Sequence, residues 1–157
     1  MLGKLGTWSI DNQRQVLLIP SSSSQTLTAS VAYQRDYQLY KRGLTDYQER
    51  NYEAAVVHFK QFIRLAPQAL QAGTAQYLIG ESLYAQRQYE AAIVAFDEVV
   101  QKHSQDPKVP AAILKQGYAF AELRDARNAR FFLQQVQKKY PNSPEAQQAT
   151  EKLRQLR

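Results

Sequence analysis

Two histidines and one adjacent pair of carboxylates are the residues of this chain whose chemistry could serve catalysis or metal binding. His58 falls inside a predicted helix and His103 ends another, and no histidine or carboxylate stands at metal-ligand spacing from either. Asp97 and Glu98 are neighbours in a predicted helix, so their side chains point to different faces and make a poor acid–base pair. We therefore predict no catalytic site, no metal site and no cofactor, and expect that the chain is not an enzyme.

The residues for cysteine chemistry and for a phosphate-binding loop are missing as well. The chain contains no cysteine, which excludes disulfides, a thiol nucleophile and a thiolate metal site. Gly3 and Gly6 are not followed by the strand and helix that a phosphate-binding loop requires.

The charge of the chain is +6 with a pI near 9.5, but its basic residues are dispersed. No stripe of lysine and arginine alternates with exposed aromatic residues, so we predict a solvated basic surface and no nucleic-acid partner. No stretch approaches the roughly 20 apolar residues of a membrane span, so direct membrane insertion is not expected. The run Val16–Ile19 is too short for the core of an export signal, so we expect a cytosolic protein or one whose signal has been removed.

Ten tyrosines stand out, and an internal repeat explains where they fall. When the chain is shifted by 37 residues, three copies align. Within each set of matched positions the three residues are similar in size. These sets are Gly43, Gly80 and Gly117; Ala55, Ala92 and Ala129; Phe59, Phe96 and Leu133; and Phe62, Val99 and Val136. Tyr47 matches Tyr84, and Tyr52 matches Tyr89.

Each copy has the apolar periodicity of two helices. The glycines allow one helix to approach another closely, and Pro67 and Pro141 end the second helices. Asn51 and Asp125 stand where second helices begin and can cap them. Two further pairs, Asp106–Pro107 and Ser143–Pro144, combine a capping residue with proline at the first helical position.

These features predict an all-α superhelix of three helix–turn–helix repeats and a C-terminal capping helix. The expected bounds are 36–72, 73–109 and 110–143 for the repeats and 144–156 for the capping helix. Residues 1–30 are expected to be a serine-rich, flexible extension or linker, with short strands at Trp8–Ile10 and Gln15–Ile19 as the alternative, and residues 31–157 to be the repeat domain. The first helix is expected to start near Ser30.

The pattern of small residue, alanine, aromatic and proline in each copy resembles the tetratricopeptide repeat, whose period is about 34 residues. A narrower likeness rests on "NYEAAVVHFKQFI", "YLIGESLYAQRQYEAAIVAFDEVVQKH" and the stretch from Asp106 to Ala146. It resembles the C-terminal repeat domain of the Tol–Pal-associated cell division coordinator family. Ser104, Arg124 and Ala126 depart from that pattern.

The resemblance implies a non-catalytic adaptor of the periplasm. In that family the domain binds the inner-membrane protein TolA and helps to couple outer-membrane constriction to septal wall synthesis. The periplasmic location follows from the resemblance alone.

The first helix of each repeat is expected to line an inner groove that binds a partner protein. Its predicted residues are Tyr37, Tyr40, Leu44, Tyr47, Tyr77, Glu81, Tyr84, Lys115, Tyr118 and Glu122, with Leu114 beside them. Tyrosine suits recognition because it offers a large apolar face and a polar tip. Several of these tyrosines could equally pack between helices, and Tyr52 and Tyr89 are assigned to packing.

A groove that grips a carboxylate terminus is disfavoured, because Tyr40 and Leu44 occupy the inner positions where such domains have lysine and asparagine. A helix or an extended segment along an aromatic groove fits better. The alternative is a self-associating module of another envelope or cytosolic complex, in which the N-terminal extension enters the groove of a second copy to form a homo-oligomer.

Overall fold

The computed structural model describes the backbone of residues 21–156 and the side chains of residues 27–156. This part of the chain forms seven α-helices and no strand. They are α1 (Ser21–Gln48), α2 (Tyr52–Leu65), α3 (Ala72–Ala85), α4 (Tyr89–Lys102), α5 (Val109–Glu122), α6 (Ala126–Lys139) and α7 (Pro144–Gln155). The predicted all-α fold of helical hairpins with a closing helix is confirmed.

The chain divides into two compact units, residues 1–35 and 36–157. In the first unit, the described residues belong to the opening part of α1, where Leu27 and Val31 are exposed. The second unit contains the rest of α1 and all of α2–α7. The division expected from the sequence, with an extension over residues 1–30, stays a prediction.

Helix α1 begins at Ser21, earlier than the start expected near Ser30. Serine has an intermediate helix propensity, and neither glycine nor proline interrupts residues 21–42, so the serine run can form the first turn of this helix. The alternative short strands at Trp8–Ile10 and Gln15–Ile19 lie outside the described residues.

The two helices of each hairpin approach closely at a glycine. A Cβ atom placed on Gly80 of α3 would lie 2.5 Å from Cε1 of Phe96 on α4. The equivalent distances are 2.7 Å from Gly43 to Phe59 and 2.8 Å from Gly117 to Leu133. The glycine at this position of the repeat therefore provides the space that the large residue of the second helix fills.

The core of the second unit consists of two clusters. The first surrounds Phe59 and Phe62, and the second surrounds Phe96, Leu133 and Val136. Helix α7 and the residue that follows it cover the end of the second cluster with Ala146, Ala149, Leu153 and Leu156. This is the role expected of a closing helix, because a terminal hairpin has no further neighbour to bury its apolar face.

The turn inside each hairpin has a residue in the left-handed region of backbone conformation. Arg50, Arg87 and Arg124 occupy the same repeat position with φ of 64°, 62° and 60°. Glycine adopts this conformation more easily than arginine, so the arginines at these turns give no sequence signal for a left-handed backbone.

The predicted caps are partly confirmed. The Asp125 side chain accepts a hydrogen bond from the backbone of Asn128 at 3.0 Å, and Ser143 accepts one from Ala146 at 3.1 Å. Asn51 makes no cap hydrogen bond to α2, and its side-chain amide nitrogen donates to Glu49. Nor does Asp106 cap α5. It accepts from the backbone of Lys108, the residue just before the helix, and therefore stabilises the turn.

The cap at Asp125 predicts a pH-dependent contribution to stability. Hydrogen bonds from the Asn128 backbone and side chain lower the pKa of Asp125. A carboxylate whose folded pKa is lowered stabilises the fold above its unfolded pKa, and this stability is lost as the pH falls through the folded pKa. Asp125→Ala should therefore lower the thermal midpoint at neutral pH, and its difference from the wild type should shrink below about pH 4.

Asn51→Ala is the matched control for that experiment, because Asn51 occupies the same repeat position without a cap hydrogen bond. It should change the midpoint far less than Asp125→Ala at neutral pH. Equal effects of the two substitutions would contradict the role of the cap.

Candidate functional site

The first helices of successive hairpins contact one another through side chains on one face of the second unit, here called the inner face. Helices α3 and α5 are joined by Lys115 to Glu81 and by Tyr84 to Glu122. Helices α5 and α7 are joined as well, because the ammonium of Lys152 on α7 lies over the ring of Tyr118 on α5. The inner face is thus a continuous surface over α3, α5 and α7, and the part of α1 that belongs to this unit extends it.

The residues predicted for the groove differ in burial. Eight of them are half-buried, with part of the side chain at the surface: Tyr37, Leu44, Tyr47, Tyr77, Glu81, Tyr84, Lys115 and Tyr118. Glu122 is exposed, whereas Tyr40 is 8% exposed and Leu114 is buried. Their role in binding stays a prediction, and the half-buried residues are the ones whose position suits it.

Tyr40 belongs to the core. Its ring centroid lies 5.2 Å from that of Phe62 and 5.9 Å from that of Phe59. Burial is the main reason that its pKa is raised, followed by the charges of Tyr37 and Asp106. Leu114 has the same repeat position and is buried as well. The third residue at this position, Tyr77, is half-buried, with its ring centroid 5.6 Å from that of Phe96.

A half-buried ion pair lies in the middle of the inner face. The Lys115 ammonium is 2.9 Å from Oε1 and 3.1 Å from Oε2 of Glu81, and the contact with Oε2 has hydrogen-bond geometry. The side chains are 25% and 15% exposed, which limits how far water screens the pair. The lysine that could have met a ligand carboxylate is therefore already neutralised by the protein itself.

Three lysines lie over tyrosine rings along the inner face. The distances from ammonium to ring centroid are 5.4 Å for Lys108 over Tyr77, 5.4 Å for Lys115 over Tyr84, and 5.6 Å for Lys152 over Tyr118. All are within the range of a cation–π interaction.

Sequence reasoning missed Lys108 and Lys152 as inner-face residues, although a signal for each was present. Lys108 and Lys115 have the same spacing as Tyr77 and Tyr84, and Lys152 has the repeat position of Lys115.

The inner-face tyrosines are held in their neutral form. Burial raises the pKa of Tyr77, and the Glu81 carboxylate adds to this effect. The pKa of Tyr84 is raised by burial and by Glu122, and that of Tyr47 by burial and by Glu81. Burial also raises the pKa of Tyr118. These rings can therefore offer an apolar surface and a hydroxyl hydrogen bond but no nucleophilic phenolate near neutral pH.

Two other residues considered for catalysis or metal binding, His58 and Glu98, pair with side chains of the protein itself. His58 Nδ1 lies 2.6 Å from Asp46 Oδ2 and links α2 to α1. Glu98 binds Lys102 and Gln76, while its neighbour Asp97 is exposed. Among the described residues, no cluster of three or more histidine, cysteine or acidic side chains is placed to hold a metal ion.

None of the described helices combines the length and hydropathy needed to cross a bilayer.

Comparison with solved structures finds the same fold in several tetratricopeptide repeat domains. The TPR domain of OM64 from Arabidopsis superimposes with a TM-score of 0.65 at 17% identity, covering 79% of this chain and 98% of that domain. The N-terminal domain of STI-1 from C. elegans gives 0.67 at 16% identity, with coverage of 80% and 96%. The first TPR domain of RPAP3, bound to the HSP90 peptide SRMEEVD, gives 0.64 at 17% identity, with coverage of 78% and 90%.

Family models place the repeats in the sequence itself. Comparison with curated proteins gives no significant match. Two models described as tetratricopeptide repeat match residues 40–110 and 111–143. The two matches meet near the start of α5, and they include the inner-face residues of α3 and α5. Residues 40–143 of this chain therefore form a tetratricopeptide repeat domain and belong to that family.

Proposed function

We propose that the inner face binds a segment of a partner protein and that the chain is a non-catalytic adaptor. Tetratricopeptide repeat domains generally mediate protein–protein interactions. Solved structures with this fold include domains in complex with peptides of HSP90 and Hsp70. These complexes support a peptide as the type of ligand.

The observation that carries the proposal is the row of half-buried tyrosine and leucine side chains on the inner face. Tyr47, Tyr84 and Tyr118, together with Leu44, present apolar surface that is not fully covered by the described residues. Aromatic rings in fixed positions bind a partner with little loss of side-chain entropy. The arrangement favours a segment that contributes aliphatic or aromatic anchors.

The charges of the inner face disfavour a ligand held by its carboxylate terminus. Lys115 is paired with Glu81 at 2.9 Å, so a carboxylate would have to break this pair to reach it. Tyr40, at a position where carboxylate-binding domains have a basic or amide residue, is buried between phenylalanines. The expected contacts are therefore apolar contacts and hydrogen bonds to tyrosine hydroxyls.

The resemblance to the Tol–Pal-associated cell division coordinator family supplies a specific candidate. It supports TolA as the partner and the periplasm as the location. The alternative, a self-associating module of another complex, predicts instead that the groove on the inner face is occupied by the N-terminal extension of a second copy.

The proposal is tested by calorimetric titration of the whole chain with two probes, a purified soluble segment of TolA and the peptide SRMEEVD. We expect TolA to bind and the peptide not to bind. Tyr47→Ala combined with Tyr84→Ala should weaken TolA binding by at least tenfold, or about 1.4 kcal/mol, because it removes two rings from the inner face.

Tyr52→Ala combined with Tyr89→Ala is the matched control. These tyrosines form the edge-to-face pairs with Tyr47 and Tyr84, at 5.8 and 5.1 Å between centroids, but they begin the second helices. Both double variants lose the same two ring pairs, so their stability should fall by similar amounts, and only the first should lose binding. Equal binding by both would contradict the inner-face assignment.

Site-specific photo-crosslinking separates the binding surface from the identity of the partner. A crosslinker in place of Leu44 should capture the partner in cells, whereas one in place of Lys60, on the outside of α2, should not. If TolA fails to bind but Leu44 captures another protein, the TolA assignment is wrong and the inner-face proposal stands.

A further inference from the structure

The second helices of the three hairpins leave an apolar row on the outer surface. Val57, Val94 and Phe131 occupy one repeat position, and they are 52%, 62% and 52% exposed. The side chain of Phe131 borders a surface depression of about 320 Å³ that is lined by Gln134, Gln135, Lys138 and Lys139. A large apolar side chain at the same exposed position of every hairpin is not required by the packing of the repeats.

Helices α4 and α6 carry opposite charge around this row. Helix α4 has three carboxylates and one lysine, and the pairing of Lys102 with Glu98 at 2.6 Å leaves Glu90 and Asp97 exposed. Helix α6 has four basic residues and no carboxylate. Arg127 and Lys138 lie on the same side of α6 as Phe131, one turn before it and two turns after it.

We propose that a second copy of this chain docks on this outer surface, with α4 of each copy against α6 of the other. A twofold axis parallel to the helices and between α4 and α6 produces this pairing. Because Glu90 and Arg127 share a repeat position, the axis places Glu90 opposite Arg127 of the other copy. It also places Val94 opposite Phe131 of the other copy, at the depression beside its ring.

Charge complementarity is the reason to expect a second copy. The acidic helix and the basic helix are the second helices of two successive hairpins, so one symmetric contact neutralises both and covers Val94 and Phe131. Helix α2 has mixed charge and lies beyond α4, away from the axis. The inner face takes no part in this contact and stays free for the partner proposed above.

Sedimentation of the whole chain over a range of concentrations tests the proposal. The wild type should pass from the mass of one chain, 18.0 kDa, to twice that mass, and the dimer should weaken as salt rises. Glu90→Lys with Asp97→Lys should weaken association at least tenfold, and so should Arg127→Glu with Lys138→Glu. An equimolar mixture of these two variants should regain the dimer mass, because each supplies the charge that the other has reversed.

Glu53→Lys is the matched control, since Glu53 has the repeat position of Glu90 on a helix outside the contact. It should leave association unchanged. A wild type that keeps the mass of one chain up to ~1 mM, where even a weak complex forms, would overturn the proposal. A mixture of the two reversed variants that fails to associate would overturn the pairing of α4 with α6.

Discussion

Replacing Ala149 by glutamate is expected to lower the free energy of unfolding by about 3–5 kcal/mol. Ala149 is 0% exposed and belongs to the cluster that also contains Leu133 and Val136. A carboxylate there would be buried against apolar side chains without a basic partner, or helix α7 would leave its place and expose the end of the repeat stack. Either outcome removes most of the stability that the closing helix supplies.

Gln148→Glu is the control for Ala149→Glu. Gln148 is the exposed neighbour in the same helix, so the control adds the same charge without burying it. Urea unfolding followed by circular dichroism measures both variants. We expect the control to stay within about 0.5 kcal/mol of the wild type. A loss below about 1 kcal/mol for Ala149→Glu would show that α7 contributes little to the stack.

The second large effect concerns Gly80, where alanine should lower the free energy of unfolding by about 2 kcal/mol. Alanine is the better helix former by about 1 kcal/mol, so an exposed position would gain from this substitution. At Gly80 the added methyl would lie 2.5 Å from Phe96, whose ring is fully buried and cannot move aside. Steric overlap therefore outweighs the gain in helix propensity.

A double-mutant cycle with Phe96→Ala tests that explanation. Leucine would not serve at position 96, because a Cβ atom placed on Gly117 would still lie 2.8 Å from Leu133 in the third repeat. Alanine at position 96 removes the ring that the methyl group meets, so the double variant should be more stable than the sum of the single effects by about 1 kcal/mol or more. Additive effects would mean that the cost of Gly80→Ala does not come from contact with Phe96.

The hairpin fold could be predicted in detail because its signals repeat. Gly80 and Phe96 each recur with a residue of similar size in every copy, which a chance pattern would not do three times. Helix α7 begins at Pro144, because Ser143 caps it and proline suits the first helical position. Asn51 was predicted to cap α2 and does not, because residue type alone does not choose among the local hydrogen bonds that an asparagine can make.

The sequence predicted which face of the domain holds the candidate site, but it did not predict which side chains on that face contact one another. The repeat positions indicated Glu81 and Lys115 for the inner face, yet not that they form an ion pair. Tyr40 and Tyr77 share a repeat position, but one is buried and the other half-buried. Tyr40 packs against Phe59 and Phe62, whereas Tyr77 packs against Phe96, so the difference depends on the side chains that another helix contributes.

By itself, the sequence determined the helical hairpins, their period of 37 residues, the close approach at each glycine and the closing helix. These features follow from periodicity and residue size, which act within one hairpin or between adjacent copies. Only the tertiary structure decided which tyrosines are core, which lysines lie over them, and which charges remain on the outer surface of α4 and α6. Those outcomes depend on distances between separate helices, and the chain fixes such distances only when the hairpins pack together.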